Sequence, residues 1–219
     1  MAEAVGTGLQ LSRMETSLIR RVSPGIPYLA VLLGLYVMRN AWIAIGVYHL
    51  GMVAVLLWER RIDTLRALFR GFHPGLFCMI VAICLIGGGV TYLGWPLLGL
   101  PHFAERLART GLTADILPWF FLYFSLVNPM LEETFWRGYH GDPSPQPVWH
   151  DLWFAGYHLP VLALFMHWRW LPLMLGGLVA IAWIWRLLVR RLDGLLINYS
   201  SHVAADAGIA LAVLLLLRR

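Results

Sequence analysis

The chain has 219 residues, of which 59% are hydrophobic and 13% are charged. That charged fraction is about half the value of an ordinary soluble domain, and the apolar residues form long blocks, so the composition excludes a soluble globular protein and favours a lipid bilayer. The net charge of +5 comes from arginines at the ends of the apolar blocks, a pattern that reflects membrane topology, and we expect no nucleic-acid partner.

Seven apolar blocks follow one another, and most reach the ~17 to 25 residues that a spanning helix needs. The blocks are 26–38, 41–58, 75–101, 116–131, 152–168, 170–185 and 194–217. The first is short for a span, whereas the short block at 170–185 is flanked by tryptophans, which is typical of a membrane interface. The pattern predicts an all-α, polytopic transmembrane helix bundle with about seven spans.

The segment before the first block, residues 1–25, is predicted to be retained and cytoplasmic. It contains Glu3 and Glu15 and is not followed by a small-residue cleavage site, so it does not resemble a secretory signal. Placing it in the cytoplasm leaves more arginines inside than outside, as the positive-inside rule requires. The chain contains no lysine, which is compatible with a bacterial source. We therefore expect a multi-pass protein of the bacterial inner membrane.

The loops at 138–151 and 186–193 are separated by two predicted spans and should lie on the same membrane face. At ~1.5 Å per helical residue, Glu132 lies roughly 9 Å, His158 roughly 10 Å and His202 roughly 14 Å below that face. Polar residues from three helices are thus expected at similar depth, towards the cytoplasmic side.

Ionisable side chains at this depth cost on the order of 2.5 to 3.5 kcal/mol each, so a chain that keeps several usually uses them. The candidates here are Glu132, Glu133, Arg137, His158, His202 and Asp206. Spacing of i, i+4 joins Glu133 to Arg137 and His202 to Asp206 on single helical faces.

The adjacent glutamates predict a division of roles, because neighbours on a helix point about 100° apart. Glu133 pairs with Arg137, which leaves Glu132 without a cationic partner and suited to act as a general base on water. The ring N–H of His202 is a candidate for stabilising a developing oxyanion. Together these groups indicate amide hydrolysis.

The order E-E-x-x-x-R, F-x-x-x-H and H-x-x-x-N/D resembles the CPBP family of intramembrane proteases, which includes type II CAAX prenyl endopeptidases and bacteriocin-processing or immunity proteins. In this chain the motifs read Glu132-Glu133-Thr134-Phe135-Trp136-Arg137, Phe154-Ala155-Gly156-Tyr157-His158 and His202-Val203-Ala204-Ala205-Asp206.

The resemblance implies that Glu132 and His158 activate water, that Glu133 and Arg137 hold the shape of the site, and that His202 and Asp206 form the oxyanion hole. The hydropathy pattern predicts N-terminal transmembrane helices over 26–115, and the resemblance implies a catalytic core over 116–217, in the last four spans. An ionised Asp206 cannot donate a proton, so we expect it to orient His202 by accepting its other ring proton.

The expected partner is a membrane-associated protein or peptide, such as a lipidated C-terminus, a leader peptide or a sorting tail. The resemblance points to catalysis with no cofactor and no metal, although two histidines with carboxylates also suit a metal-dependent version. A non-catalytic peptide-binding or immunity protein is a further alternative. A proton-relay transporter is disfavoured because the charged motif is not repeated in the first half.

Five further features carry predictions of their own. His49 lies in an apolar block with no evident partner. Gly87, Gly88 and Gly89 favour close helix packing or a kink in the third predicted span over ligand binding. Asn128 precedes a proline that interrupts helices, and Asn198 is a candidate for a hydrogen bond between helices. The segment Asp142-Pro143-Ser144-Pro145-Gln146-Pro147, the Pro-rich loop, is predicted to be a stiff connector.

Overall fold

The computed structural model describes residues 18–219. Residues 1–17, which form most of the predicted N-terminal segment and include Glu3 and Glu15, lie outside the described residues. We number ten helices along the described chain: α1 (Leu18–Val37), α2 (Ala41–Trp58), α3 (Thr64–Ala67), α4 (Pro74–Leu98), α5 (Phe103–Ala108), α6 (Leu117–Glu132), α7 (Trp149–Gly156), α8 (His158–Ala163), α9 (Leu171–Leu192) and α10 (Leu196–Leu216). A π-helical segment, Glu133–Tyr139, continues α6, and a 3-10 turn, Trp168–Trp170, precedes α9.

The described part of the chain contains no β-strand, so the predicted all-α polytopic bundle is confirmed. Five helical segments are long and apolar enough to cross a membrane: Leu18–Val37, Ala41–Trp58, Pro74–Leu98, Trp168–Leu192 and Leu196–Leu216. The predicted count of seven is not confirmed. Helix α6 has only 16 residues before its winding changes, and the predicted span over 152–168 is divided into α7 and α8, with eight and six residues.

Helix α10 packs along α4 and also contacts α6, while α9 packs against α7 and α1 packs against α2. The α4–α10 contact is closest at two glycines. A Cβ atom on Gly88 would lie 2.2 Å from the carbonyl oxygen of Gly208, so the two backbones approach as only glycine permits. The predicted close packing is therefore confirmed at Gly88, whereas a Cβ on Gly87 or Gly89 would meet no atom within 4 Å. The Gly88 contact fixes the distance between α4 and the helix that carries His202 and Asp206.

Arg20, Arg70 and Arg186 lie at one end of the bundle, which we call the Arg-rich end. Arg20 donates to Gly141 O, Arg70 pairs with Asp193 at 2.7 Å, and Arg186 pairs with Asp151 at 2.8 Å. Backbone hydrogen bonds there join the loop after α2 to the start of α10, with Leu195 N 2.8 Å from Ala67 O. Arg186, near the end of α9, contacts carbonyl oxygens of the Pro-rich loop. The loops at 138–151 and 186–193 thus lie on the same face, as the topology predicted.

Candidate active site

Helix α6 delivers the two glutamates, and its local winding is unusual. Pro129 lies inside the helix and has no N–H to donate, so the regular hydrogen-bond ladder is interrupted just before the site. The chain then continues as a π-helical segment, Glu133–Tyr139, a winding that is rare and frequent at functional sites. Both glutamates point inward, with exposed fractions of 1% for Glu132 and 0% for Glu133.

Glu133 is held by partners from two helices. Its Oε1 atom lies 3.2 Å from Arg137 Nη1 and 2.8 Å from His202 Nδ1, and its Oε2 atom accepts a longer bond from Asn198 Nδ2 at 3.4 Å. The guanidinium of Arg137 lies 3.9 Å from the centroid of the Phe154 ring, which encloses the ion pair. Both oxygens of Glu133 are therefore engaged by protein groups.

Glu132 has a different environment. Its Oε1 atom accepts a short hydrogen bond from the Tyr157 hydroxyl, whereas its Oε2 atom has no hydrogen-bond partner among residues 18–219. The nearest basic group is Nε2 of His202, at 3.5 Å. The Tyr157 ring packs on Tyr48, whose hydroxyl accepts from Trp136 Nε1 at 2.8 Å. One oxygen of Glu132 is thus held in place and the other is available.

His202 lies between the acidic groups. Because its Nδ1–H donates to the Glu133 carboxylate, its Nε2 atom faces the other two carboxylates, 3.5 Å from Glu132 Oε2 and 3.7 Å from Asp206 Oδ1. The second distance is too long for a hydrogen bond. Asp206 therefore approaches the second ring nitrogen of His202 without bonding to it, and its expected orienting role stays a prediction. Its Oδ2 atom accepts from Asn128 Nδ2 at 3.2 Å.

His158 is the one predicted residue that does not touch the others. Its Nδ1–H donates to the carbonyl oxygen of Phe154 at 2.9 Å, which leaves Nε2 as an acceptor in the neutral ring. Within residues 18–219 it makes no ion pair with a carboxylate. Its ring lies 4.1 Å from that of Tyr157, so the tyrosine occupies the position next to Glu132 where His158 was expected.

Two side chains at this site were not assigned a role from the sequence. Tyr157 lies within the F-x-x-x-H motif, but the motif does not mark it as functional. The interpretation of His49 as partnerless was wrong, because its ring nitrogens lie 2.7 Å from the Tyr123 hydroxyl and 3.1 Å from Asn128 Oδ1. The only sequence signal was a histidine within an apolar span. The predicted interhelical role of Asn198 is confirmed by its bond to Glu133.

The site is enclosed by protein, since the exposed fractions of His202 and Asp206 are only 4% and 9%. A cavity of about 210 Å³ lies nearby, lined by Tyr28, Trp149, Leu152 and Trp153. Tyr28 packs against Tyr157 with ring centroids 6.4 Å apart, so the cavity borders the residue that contacts Glu132. No group of three or more His, Cys, Asp and Glu side chains within residues 18–219 is arranged to hold a metal ion.

The fold and the site together define a membrane-embedded helical protein with a buried carboxylate–histidine cluster. Residues 114–208, somewhat less than half of the chain, match the family described as type II CAAX prenyl endopeptidase, Rce1-like. The match includes all three motifs and supports membership of the chain in the CPBP family of intramembrane proteases. The family points to a protease. Neither the curated proteins nor the solved structures contain a match to this chain.

Proposed function

We propose that the protein is an intramembrane endopeptidase in which Glu132 activates water. The observation that carries this proposal is the unequal environment of two adjacent glutamates. Glu133 has both oxygens engaged by Arg137, His202 and Asn198, whereas Glu132 keeps Oε2 without a hydrogen bond among the described residues. A general base needs an oxygen within reach of the proton that it removes. Of the two glutamates, only Glu132 offers such an oxygen.

In the proposed reaction, water binds between Glu132 Oε2 and His202 Nε2. Glu132 takes a proton from the water while the oxygen bonds to the carbonyl carbon of the scissile amide. His202, held through Nδ1 by Glu133, donates from a protonated Nε2 to the developing oxyanion. Transfer of the proton from Glu132 to the amide nitrogen then breaks the C–N bond and releases the amine.

His158 is proposed to assist Glu132, as the family resemblance implies. Its Nε2 atom is an acceptor but does not touch Glu132, so this role requires the His158 and Glu132 side chains to approach each other when substrate enters, while Tyr157 keeps its bond to Glu132 Oε1. The enclosed site supports the same conclusion, because a peptide must displace part of the surrounding wall to reach Glu132.

The proposed substrate is a membrane-associated protein, lipidated or with a hydrophobic tag at its C-terminus, that reaches the site through the bilayer. We place the Arg-rich end in the cytoplasm of a bacterial cell, with the active site towards it. The division into N-terminal helices over 26–115 and a catalytic core over 116–217 is also a proposal. Helix α2, one of these N-terminal helices, contributes Tyr48 and His49 to the surroundings of the site.

The test compares the intact masses of co-expressed candidate substrates in the presence of wild-type protein and Glu132→Gln. We expect cleavage to fall at least ~100-fold in the variant, because general-base catalysis contributes about that much or more. Glu105→Gln, at an exposed carboxylate remote from the site, is the matched control and should cleave normally. Wild-type rates of cleavage with Glu132→Gln would refute the assignment of the base.

The same assay separates the alternatives. Thorough chelation is expected to leave cleavage unchanged, and activity that disappears on chelation and returns with added zinc would favour the metal-dependent version. If Glu132→Gln supports the cellular phenotype as well as wild type and no substrate changes mass, the protein is a peptide-binding or immunity protein and not an enzyme.

A further inference from the structure

A series of hydrogen bonds connects the site to α2, outside the three sequence motifs. The Tyr123 hydroxyl lies 2.7 Å from His49 Nδ1, and His49 Nε2 lies 3.1 Å from Asn128 Oδ1. The amide nitrogen of Asn128 lies 3.2 Å from Asp206 Oδ2. We call Tyr123, His49 and Asn128 the relay. Its members lie on α2 and α6, and Asn128 connects them to Asp206 on α10.

The direction of each hydrogen bond follows from the last acceptor. A carboxylate accepts, so Asn128 donates to Asp206 through its amide nitrogen and turns its carbonyl oxygen towards His49. His49 must then carry its proton on Nε2, which leaves Nδ1 to accept from the Tyr123 hydroxyl. All three bonds therefore run in one direction, towards Asp206.

The relay is buried among apolar side chains, with exposed fractions of 4% for His49 and 5% for Asn128. Polar groups in such surroundings are stable only when they are hydrogen-bonded, and loss of one partner leaves the other unsatisfied. The amide orientation of Asn128 is consequently fixed from both sides, because reversing it would place a donor against His49 Nε2–H and an acceptor against Asp206.

We propose that Asn128, oriented by His49, is a positioning residue for Asp206. Since Asp206 Oδ2 is held by Asn128, Oδ1 is the oxygen that faces His202 Nε2, at 3.7 Å. The relay therefore sets the direction from which Asp206 acts on His202, and His202 in turn faces Glu132. The effect on reaction rate rests on the proposed function, whereas the orientation of the side chains does not.

The first experiment needs no substrate and so remains informative if the proposed function is wrong. The protein is labelled with ¹⁵N-histidine in lipid nanodiscs, and the His49 and His202 ring signals are assigned by their loss in His49→Phe and His202→Gln. We expect a neutral His49 with its proton on Nε2. We also expect His49→Phe and Asn128→Leu to shift the His202 ring signals, although neither residue touches His202.

Two controls separate this effect from a general loss of packing. His49→Gln retains an N–H able to reach Asn128 and should shift the His202 signals less than His49→Phe does. Thr110→Val removes a buried hydrogen bond of similar length, 2.7 Å to Leu107 O, at the opposite end of the bundle and should leave them unchanged. Unchanged His202 signals in folded Asn128→Leu would overturn the proposal.

The second experiment measures kcat and KM on a substrate whose cleavage depends on Glu132. Loss of one hydrogen bond, worth about 1 kcal/mol, predicts a fall in kcat of about fivefold for Asn128→Leu with KM unchanged. Asn128→Asp should be worse, because it places a second carboxylate against Asp206. Combining it with Asp206→Asn restores a hydrogen bond and should recover part of kcat. A double variant no better than Asn128→Asp alone would contradict the positioning role.

Discussion

Replacing Gly88 by alanine tests whether the spacing between α4 and α10 controls the site. Gly88 faces Gly208, which follows Asp206 by two residues on α10. The added methyl carbon would lie 2.2 Å from the Gly208 carbonyl oxygen and 2.7 Å from its Cα. Both atoms belong to the backbone, so neither can rotate away and the helices must separate.

The size of the effect follows from the contact distances. An unstrained carbon–oxygen contact is roughly 3.3 Å, so relief of the clash requires the helices to move apart by about 1 Å. Forcing an extra methyl group into a packed contact destabilises by about 1 to 3 kcal/mol. A displacement of about 1 Å at a catalytic group lowers the rate by up to ~100-fold, and Asp206 lies close enough on α10 to move with Gly208.

The assay compares Gly88→Ala with Gly87→Ala and Gly89→Ala, where a Cβ would meet no atom within 4 Å. Thermal unfolding in detergent should give a lower Tm for Gly88→Ala alone, and cleavage of a Glu132-dependent substrate should fall in the same variant. The neighbouring variants should be neutral or slightly more stable, since alanine is the better helix former. Equal stability and equal cleavage in all three would refute the close-packing argument.

Arg186 forms a buried ion pair with Asp151 and also binds carbonyl oxygens of the Pro-rich loop. Arg186→Gln should therefore release the loop at a cost of about 3 to 5 kcal/mol in the free energy of unfolding. Limited proteolysis should then cut the loop in this variant but not in the exposed control Arg190→Gln. Tyr157→Phe removes the donor on the proposed general base and should lower kcat about fivefold with little change in KM; an unchanged kcat would exclude a role for the hydroxyl. Burial, with the neighbouring His150 ring, lowers the pKa of His140 from 6.5 to about 2. Between pH 6.5 and about pH 2, His140 therefore binds a proton in the unfolded chain but not in the folded chain. The contribution of His140 to stability is complete above about pH 6.5 and is lost as the pH falls towards 2. From pH 7 to pH 5 the wild type should lose about 2 kcal/mol more than His140→Phe, and parallel losses in chemical unfolding would contradict this assignment.

The sequence was sufficient for the helical class and for the pairing of Glu133 with Arg137, because burying charge in an apolar span requires partners. The contact between His202 and Glu133 was not predicted, because the spacing pairs His202 with Asp206. The sequence was also not sufficient for the number of spans. The change to π-helical winding after Glu132 and the division of the predicted fifth span before His158 depend on packing between helices, which hydropathy does not record.

The same limit explains why His49 and Tyr157 were not predicted as members of the site. A histidine in an apolar block reveals its partner only when the facing helix is known, and Tyr123 lies 74 positions away along the chain. Tyr157 is next to His158 in the sequence, and the sequence alone does not show which of these two side chains reaches Glu132.

The difference between Glu132 and Glu133 arises from residues distant in sequence. The two glutamates are adjacent at the change from α6 to the π-helical segment, have the same chemistry and are almost equally buried, so these properties alone do not explain their different partners. Helix α10 does, because it places His202 Nδ1 at 2.8 Å from Glu133 and Nε2 at 3.5 Å from Glu132. The His202 imidazole thereby bonds to the Glu133 carboxylate and faces the Glu132 carboxylate. Any change that rotates or displaces α10 should therefore disturb both roles together, whether it acts at the Gly88–Gly208 contact or through Asn128.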